Sequence, residues 1–249
     1  MRKYFYVFLN LLLISFLPVN VFGFDLIAKH RIVLDEAEPE VVTTAIDIFT
    51  SDLAKVAGMS LNDTGTEIII GTVGQSKEIK KLINKGRISV KDIIKKWEAF
   101  KIVCLNDRQL VVVGSNPRGT AYGVLELSRM MGVSPWEWWA DVTPKPQASV
   151  KVKKGVVTIQ SPSVEYRGIF LNDEDWGLVP WSCKTFEPSP IPNHLGPKTY
   201  SKIFELLLRL RANTIWPAMH EGTTPFYTIK GNKEAAQKYG IVVGTSHCE

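Results

Sequence analysis

Three short apolar segments in the second half of the chain each end in side chains that could do acid–base chemistry. The segments are Val164–Leu171, Thr214–Trp216 and Ile241–Gly244. The groups at their ends are Asp173, Glu174 and Asp175, then Trp216, His220 and Glu221, then His247 and Glu249. Carboxyl groups can act as general acid and base, and aromatic faces beside carboxylates suit sugars, whose C–H faces stack on rings. The spacing therefore predicts one polar site that is built from three strand ends.

Each of these groups also has a structural interpretation, because it could cap the following helix or pair with a nearby base. The coincidence of all three groups favours a functional site. Metal chemistry is less favoured, since the first strand lacks an H-x-H pair. His247-Cys248-Glu249 matches the H-x-E of zinc deaminases, but no P-C-x-x-C is present. We expect neither a metal nor a cofactor.

The elements that would position these groups alternate as strand, helix, strand, helix and strand. The helices are predicted over Lys198–Arg211, after Gly196-Pro197, and over Asn232–Tyr239. This order predicts parallel strands with right-handed crossovers, as in a (β/α)8 barrel, where active sites lie at the carboxyl ends of the strands. A whole barrel needs about 250 residues. Residues 164–249 are therefore predicted to be the first three units of a truncated TIM barrel.

The connection between the first strand and its helix, residues 172–196, is long and rich in proline. Loops of more than about 12 to 15 residues are usually functional or disordered. The prolines restrict the unfolded chain, and Trp176 and Trp181 offer apolar anchors. An ordered substrate-binding flap is predicted.

Residues 24–157 are predicted to form a small α/β sandwich domain. Its strands are expected over Leu26–Val33, Glu67–Gly71, Phe100–Leu105, Gln109–Gly114 and Val150–Val157, and its helices over Pro39–Val56, Ser76–Lys95 and Arg118–Met131. Asn106-Asp107 would join the third and fourth strands as a hairpin. Gly114–Gly119 has P-loop spacing, but Thr120-Ala121 follows it, so a turn that enters a helix is favoured. The tryptophan-rich segment 134–141 is expected to pack between domains rather than to bind a ligand.

The first 23 residues are predicted to be an export signal. Arg2 and Lys3 precede an apolar run of about 15 residues, Phe5–Val19, which is shorter than the roughly 20 needed to cross a bilayer. Val21 and Gly23 suit a signal peptidase site. A permanent N-terminal anchor is the alternative. We expect a periplasmic or secreted protein that has no membrane association after cleavage.

Composition excludes several other classes. Loss of Arg2 and Lys3, with no acid, would lower the formal charge from +5 to +3. Neither a clustered basic patch with interleaved aromatics nor a known nucleic-acid module is present, so nucleic acid is not expected as a partner. The cysteines Cys104, Cys183 and Cys248 are few and widely spaced, which disfavours a disulfide scaffold.

Long segments in this order resemble glycoside hydrolase family 115, the xylan α-1,2-glucuronidases. The segments that carry the resemblance are Gly114–Gly123, Gly132–Val142, Tyr166–Gly177, Asn213–His220 and Gly244–Glu249. The resemblance implies an α/β domain, a catalytic barrel and further domains. It also implies removal of α-1,2-linked glucuronic acid, or its 4-O-methyl form, from glucuronoxylan or its oligosaccharides, with inversion and no cofactor.

By the same resemblance, Asp175 is the candidate for water activation, and Trp216 and His247 are pocket residues. Asp173, Glu174 and His220 are further substrate-binding candidates at the strand ends. The general acid that the family uses would lie beyond residue 249, so residues 24–249 alone are expected to be inactive. Two alternatives stay open, a carbohydrate-binding or interaction protein with a vestigial barrel and a different exo-glycosidase. The sequence leaves the oligomeric state unknown.

Overall fold

The computed structural model describes residues 23–58, 63–171, 177–218 and 222–245. The strands are β1 (Phe24–Asp25), β2 (Lys29–Val33), β3 (Asp63–Thr72), β4 (Phe100–Cys104), β5 (Gln109–Gly114), β6 (Lys151–Val152), β7 (Gly155–Gln160), β8 (Gly168–Phe170), β9 (Thr214–Trp216) and β10 (Val242–Val243). The α-helices are α1 (Glu40–Ala57), α2 (Lys77–Asn84), α3 (Pro117–Met130), α4 (Leu178–Trp181), α5 (Pro197–Arg209) and α6 (Asn232–Lys238). A π-helical turn over Ser182–Phe186 follows α4.

The first half of the chain is built around a five-stranded sheet in the order β2-β3-β5-β4-β7. β2, β3 and β5 are parallel, and β4 runs antiparallel to β5 and β7. Alternate strand residues face opposite ways, as the period of two requires. Ile68, Ile102 and Val112 pack with α1 and α3, whereas Ile69, Val111 and Val113 pack with α2 and residues 88–93. This half of the chain is thus a three-layer α/β sandwich, and its separation as a domain over residues 24–157 stays a prediction.

The second half contains a parallel sheet in the order β8-β9-β10. Ile169 pairs with Ile215, and Val243 pairs with the same residue from the other side. The order along the sheet matches the order along the chain, as expected when a helix crosses over between successive parallel strands. α5 and α6 supply Phe204, Leu207 and Ala236 to the core that also contains α1 and α3. The parallel strands agree with the prediction, and closure into an eight-stranded barrel stays a prediction.

Several predicted boundaries are wrong in the first half. The strand predicted over Leu26–Val33 is shorter, because the Asp25 carboxylate accepts hydrogen bonds from the amides of Ile27 and Val150 and turns the chain before β2. Of the helical region predicted over Ser76–Lys95, α2 is the part that forms an α-helix, and Ser76 caps it. Residues 91–95 form turns instead, and Asp92 there binds the buried ammonium of Lys101.

Glycine and arginine set other boundaries. The basic strand predicted over Val150–Val157 divides into β6 and β7 at Gly155, whose φ is +112°. The strand predicted over Val164–Leu171 begins only at Gly168, because the Arg167 side chain donates to the carbonyls of Val164 and Glu165 and curls that segment. α5 ends at Arg209, and Arg211 follows with a φ of +60°.

The Gly114–Gly119 segment is a turn that enters α3, as predicted. Asn116 caps the helix by accepting from the Gly119 amide at 2.9 Å. A Cβ on Gly114 would lie 2.1 Å from the Thr120 nitrogen, and one on Gly119 would lie 2.4 Å from the Ala99 carbonyl. Close packing therefore accounts for both glycines.

The predicted export signal lies outside the described residues, apart from Gly23. Within the part of the chain that the structure describes, no helix is long and apolar enough to cross a membrane.

Candidate functional site

The carboxyl ends of β8, β9 and β10 lie side by side in register. Phe170 pairs with Trp216, and the Leu171 amide donates to the Trp216 carbonyl at 2.8 Å. On the other side, the Gly244 amide donates to the Ile215 carbonyl at 2.9 Å. Parallel α/β folds place their reactive groups at this edge of the sheet. The structure thus brings together the three strand ends that the sequence singled out.

Trp216 is the predicted site residue that the structure describes at this edge. Its side chain is 43% exposed, and its indole meets the Phe170 ring edge-to-face with centroids 6.1 Å apart. A Cβ on Gly244 would lie 2.3 Å from the indole Nε1, so the end of β10 is packed directly against the ring. The indole is thus held between two strands and remains open to solvent. An apolar face in this position can stack on the C–H face of a sugar.

The other predicted site residues lie outside the described residues. They are Asp173, Glu174, Asp175, His220 and His247. In sequence, each stands within five residues of a described strand-end residue, Leu171, Ala218 or Thr245. Their roles therefore stay predictions.

The tryptophan-rich segment packs against the loop that follows β8. Trp181 stacks on Phe186 at 4.8 Å and an angle of 10°, and both rings contact Trp138. The Trp139 indole N–H donates to the carbonyl of Lys202 in α5 at 3.1 Å. These contacts agree with the packing role predicted for the segment. They also place residues 177–186 against this segment, while the substrate-binding role of the loop stays a prediction.

The remainder of this loop is tied down by hydrogen bonds at both ends. The Glu187 carboxylate accepts from the amides of Lys198 and Thr199, in the first turn of α5, at 3.1 and 2.9 Å. A carboxylate in this position satisfies free amides and complements the helix dipole. The Thr224 amide and hydroxyl donate to the carbonyls of Asn193 and Pro192. The loops that follow β8 and β9 therefore support each other.

His194 is a buried polar residue of this loop that no sequence pattern indicated. It is 3% exposed, and its Nδ1 lies 2.9 Å from the Ile191 carbonyl. Because a carbonyl only accepts, Nδ1 carries a proton and Nε2 is an acceptor in the neutral ring. Nearby, the fully buried Asn232 donates to the carbonyls of Leu195 and Phe226. The sequence signal that could have indicated His194 is its position just before Gly196-Pro197, where the next helix starts.

A polar cleft of about 280 Å³ lies at the opposite end of the parallel sheet. Arg167 and Arg211, which line it, precede β8 and β9 in the chain. Burial would raise the pKa of Glu126 beside it, but Arg129 and Arg211 outweigh burial and hold that pKa below its usual range. The cleft lies at the amino ends of the strands, where barrel folds carry stability rather than catalysis. It is therefore not the candidate active site.

Among residues 23–58, 63–171, 177–218 and 222–245, no group of three or more histidine, cysteine or carboxylate side chains could hold a metal ion. Most residues of the predicted site lie outside these ranges, so the expectation that the site holds no metal stays a prediction.

Comparison with known proteins assigns the chain to a family. Residues 159–249 match the model for glycosyl hydrolase family 115. The structure superposes with a TM-score of 0.81 on BtGH115A, a family GH115 4-O-methyl-α-glucuronidase with specificity for decorated arabinogalactans. The two sequences are 52% identical over 91% of this chain, which spans 30% of that protein.

More distant structures share the fold alone. CpGH84B superposes with a TM-score of 0.53 at 12% identity, over 87% of this chain and 33% of its own length. The chitobiase of Flavobacterium johnsoniae superposes with a TM-score of 0.52 at 11% identity, over 90% of this chain and 32% of its own length. No curated protein matches this chain significantly. The family match in the second half, together with the 52% identical structure that extends it across both halves, leads to one assignment. The chain belongs to glycosyl hydrolase family 115.

Proposed function

We propose that the protein is an α-glucuronidase that releases α-1,2-linked glucuronic acid, or its 4-O-methyl form, from a decorated polysaccharide. The observation that carries this proposal is the 52% identity to a 4-O-methyl-α-glucuronidase over 91% of the chain. The family-model match, over residues 159–249, includes β8, β9 and β10, whose carboxyl ends precede the candidate residues. At that edge Trp216 offers an exposed aromatic face that is suited to a sugar.

The reaction is proposed to proceed with inversion and without a cofactor. Inversion requires one carboxylic acid that protonates the leaving oxygen and one carboxylate that activates water, about 6.5–9.5 Å apart. We assign water activation to Asp175 and sugar binding to Trp216 and His247. Asp173, Glu174 and His220 are assigned to the same pocket, and the general acid is assigned to a part of the protein outside residues 1–249.

Two polysaccharide backbones are candidates for the natural substrate. The family resemblance favours xylan, whereas the related structure acts on decorated arabinogalactans. Both substrates carry the sugar acid that the pocket is proposed to bind, so the glucuronic acid group is the shared recognition element. Consistent with a polymeric substrate outside the cytoplasm, the first 23 residues are proposed to direct export.

The test uses protein expressed from the complete open reading frame. Glucuronoxylan and glucuronic-acid-decorated arabinogalactan are incubated separately, and the released uronic acid is identified by NMR before its anomers equilibrate. Release of the β-anomer from an α-linked substrate would support inversion. Binding to either polysaccharide with no release would instead favour the carbohydrate-binding alternative. Release of a different sugar would favour another exo-glycosidase.

A further inference from the structure

A buried glutamate in the first half of the chain lies beneath all three parallel strands. Glu98 lies two residues before the start of β4. It is 1% exposed and has a φ of +45°. A left-handed conformation at a residue other than glycine is strained, and it persists where the surroundings hold the residue in place. The contacts of the Glu98 carboxylate show what holds it.

The carboxylate accepts hydrogen bonds from four side chains. Arg118 and Arg167 form ion pairs with it. The Asn213 amide lies 3.0 Å from both oxygens. The Tyr122 hydroxyl shares its single proton between the Ala212 carbonyl, at 3.1 Å, and the carboxylate, at 3.4 Å. Burial, together with the Glu98 charge, raises the pKa of Tyr122, so this hydroxyl stays protonated as a donor.

Three of these contacts lead to the residues that start the parallel strands. Arg167 directly precedes β8, and Asn213 directly precedes β9. Arg118 donates to the carbonyl of Gly240, two residues before β10, at 3.0 Å. Asn213 also accepts from the Arg167 amide at 2.9 Å, which fixes the first two strand starts relative to each other. One carboxylate therefore connects the amino ends of three strands.

The candidate site lies at the other ends of the same strands. β8 and β9 are each three residues long, so their two ends are roughly 10 Å apart at about 3.3 Å per residue. A shift at the amino end of such a short strand moves the residues at its carboxyl end. Displacements of about 1 Å at reacting groups can cost 100-fold in rate.

We propose that Glu98 is a positioning residue, which sets the register of β8, β9 and β10 and thereby aligns the glucuronidase site at their carboxyl ends. The proposal rests on the proposed function for its catalytic consequence, but not for its geometry. Glu98 touches no substrate and acts through Arg167, Asn213 and Arg118.

The test compares Glu98→Gln with Asp52→Asn in protein from the complete open reading frame. Both variants remove a buried carboxylate that pairs with an arginine of the second half. The partner of Asp52, Arg209, lies at the end of α5, whereas Arg167, a partner of Glu98, directly precedes β8. We expect kcat of Glu98→Gln to fall at least ten-fold with a smaller change in KM, whereas kcat of Asp52→Asn stays within two-fold. Both are assayed well below their melting temperatures.

Hydrogen exchange supplies a measurement that needs no activity. In Glu98→Gln, amides of residues 168–171, 213–216 and 241–244 should exchange faster than in the wild type and in Asp52→Asn. Normal exchange there, or kcat within two-fold of the wild type, would overturn the proposal. An inactive wild type would refute the proposed function, while exchange would still decide the role of Glu98. If Glu98→Gln does not fold, Arg118→Lys should accelerate exchange at 241–244 alone, and unchanged exchange there would overturn the proposal.

Discussion

The guanidinium of Arg209 in α5 forms a two-point ion pair with the carboxylate of Asp52 in α1. Nη1 lies 2.7 Å from Oδ2, and Nη2 lies 3.0 Å from Oδ1. Both side chains are buried. Burial would lower the pKa of Arg209, but the hydrogen bonds and charge of Asp52 outweigh it and raise the pKa. This pair joins the two halves of the chain through matched planar groups.

Replacing Arg209 with methionine should destabilise the fold strongly. The variant leaves Asp52 buried without its partner, which costs about 3–5 kcal/mol in comparable buried pairs. The matched control is Lys55→Met, since Lys55 pairs with Glu137 at a more exposed site, where about 1 kcal/mol or less is expected. Urea denaturation measures both free energies of unfolding. Equal losses in the two variants would contradict the role given to the pair.

Asp175→Asn should lower kcat in the complete protein by about 10²- to 10⁴-fold, the range for loss of a general base. The change is nearly isosteric, so the melting temperature should hold. Asp107→Asn, in the exposed turn between β4 and β5, is the control and should keep its full kcat. A destabilised Asp175→Asn protein with wild-type kcat would end the catalytic assignment.

His247→Ala should raise KM more than it lowers kcat, because the imidazole is assigned to binding the sugar carboxylate or a hydroxyl. A loss of about 1.4 kcal/mol in binding corresponds to a ten-fold change. Steady-state kinetics and the melting temperature are measured together. A lower melting temperature with unchanged kinetics would show that His247 is structural.

Trp216→Ala should raise KM about ten-fold, whereas Trp216→Phe should retain most of the stacking on the sugar. The control is Trp136→Ala. It removes an indole of similar exposure (48%) from the tryptophan-rich segment 134–141, which contains none of the strand ends. Isothermal titration with a glucuronic-acid-bearing oligosaccharide measures the affinity directly. Equal affinity losses at Trp216 and Trp136 would rule out a specific sugar contact at Trp216.

His30 should make stability depend on pH in mildly acidic solution. Burial lowers its pKa from 6.5, and the hydrogen bond to the Leu26 carbonyl offsets only part of that effect. The unfolded chain therefore takes up a proton first, so stability falls as the pH drops below 6.5, by at most about 1.4 kcal/mol per pH unit.

His30→Gln should remove that slope, which urea denaturation at several pH values between about 5 and 7 would reveal. Glu126 and Glu205 also have lowered pKa values, because arginine and lysine contacts outweigh burial. Their contributions are lost only as the pH falls below 4.5, which separates the two effects. An unchanged slope in His30→Gln would refute the prediction.

Local chemistry was sufficient to predict the element types and several of their ends. The helical region predicted from Ser76 does begin there, because the Ser76 side chain caps α2. The turn predicted over Gly114–Gly119 contains Asn116, whose side chain caps α3. The hairpin of β4 and β5 also followed from its turn residues. These features depend on neighbours within a few residues, so a linear pattern contains them.

The sequence alone also determined the family, through long segments in a shared order, and the three strand ends that carry the candidate residues. Only the tertiary structure showed how these ends are aligned. Glu98 lies between two predicted elements and carries no local signal, yet its carboxylate binds Asn213, 115 residues away. Likewise, the Arg167 side chain binds the Val164 carbonyl and so shortens β8, and strand propensities do not predict such a contact. Such contacts depend on which distant groups are buried together, and that is decided by packing between the two halves of the chain.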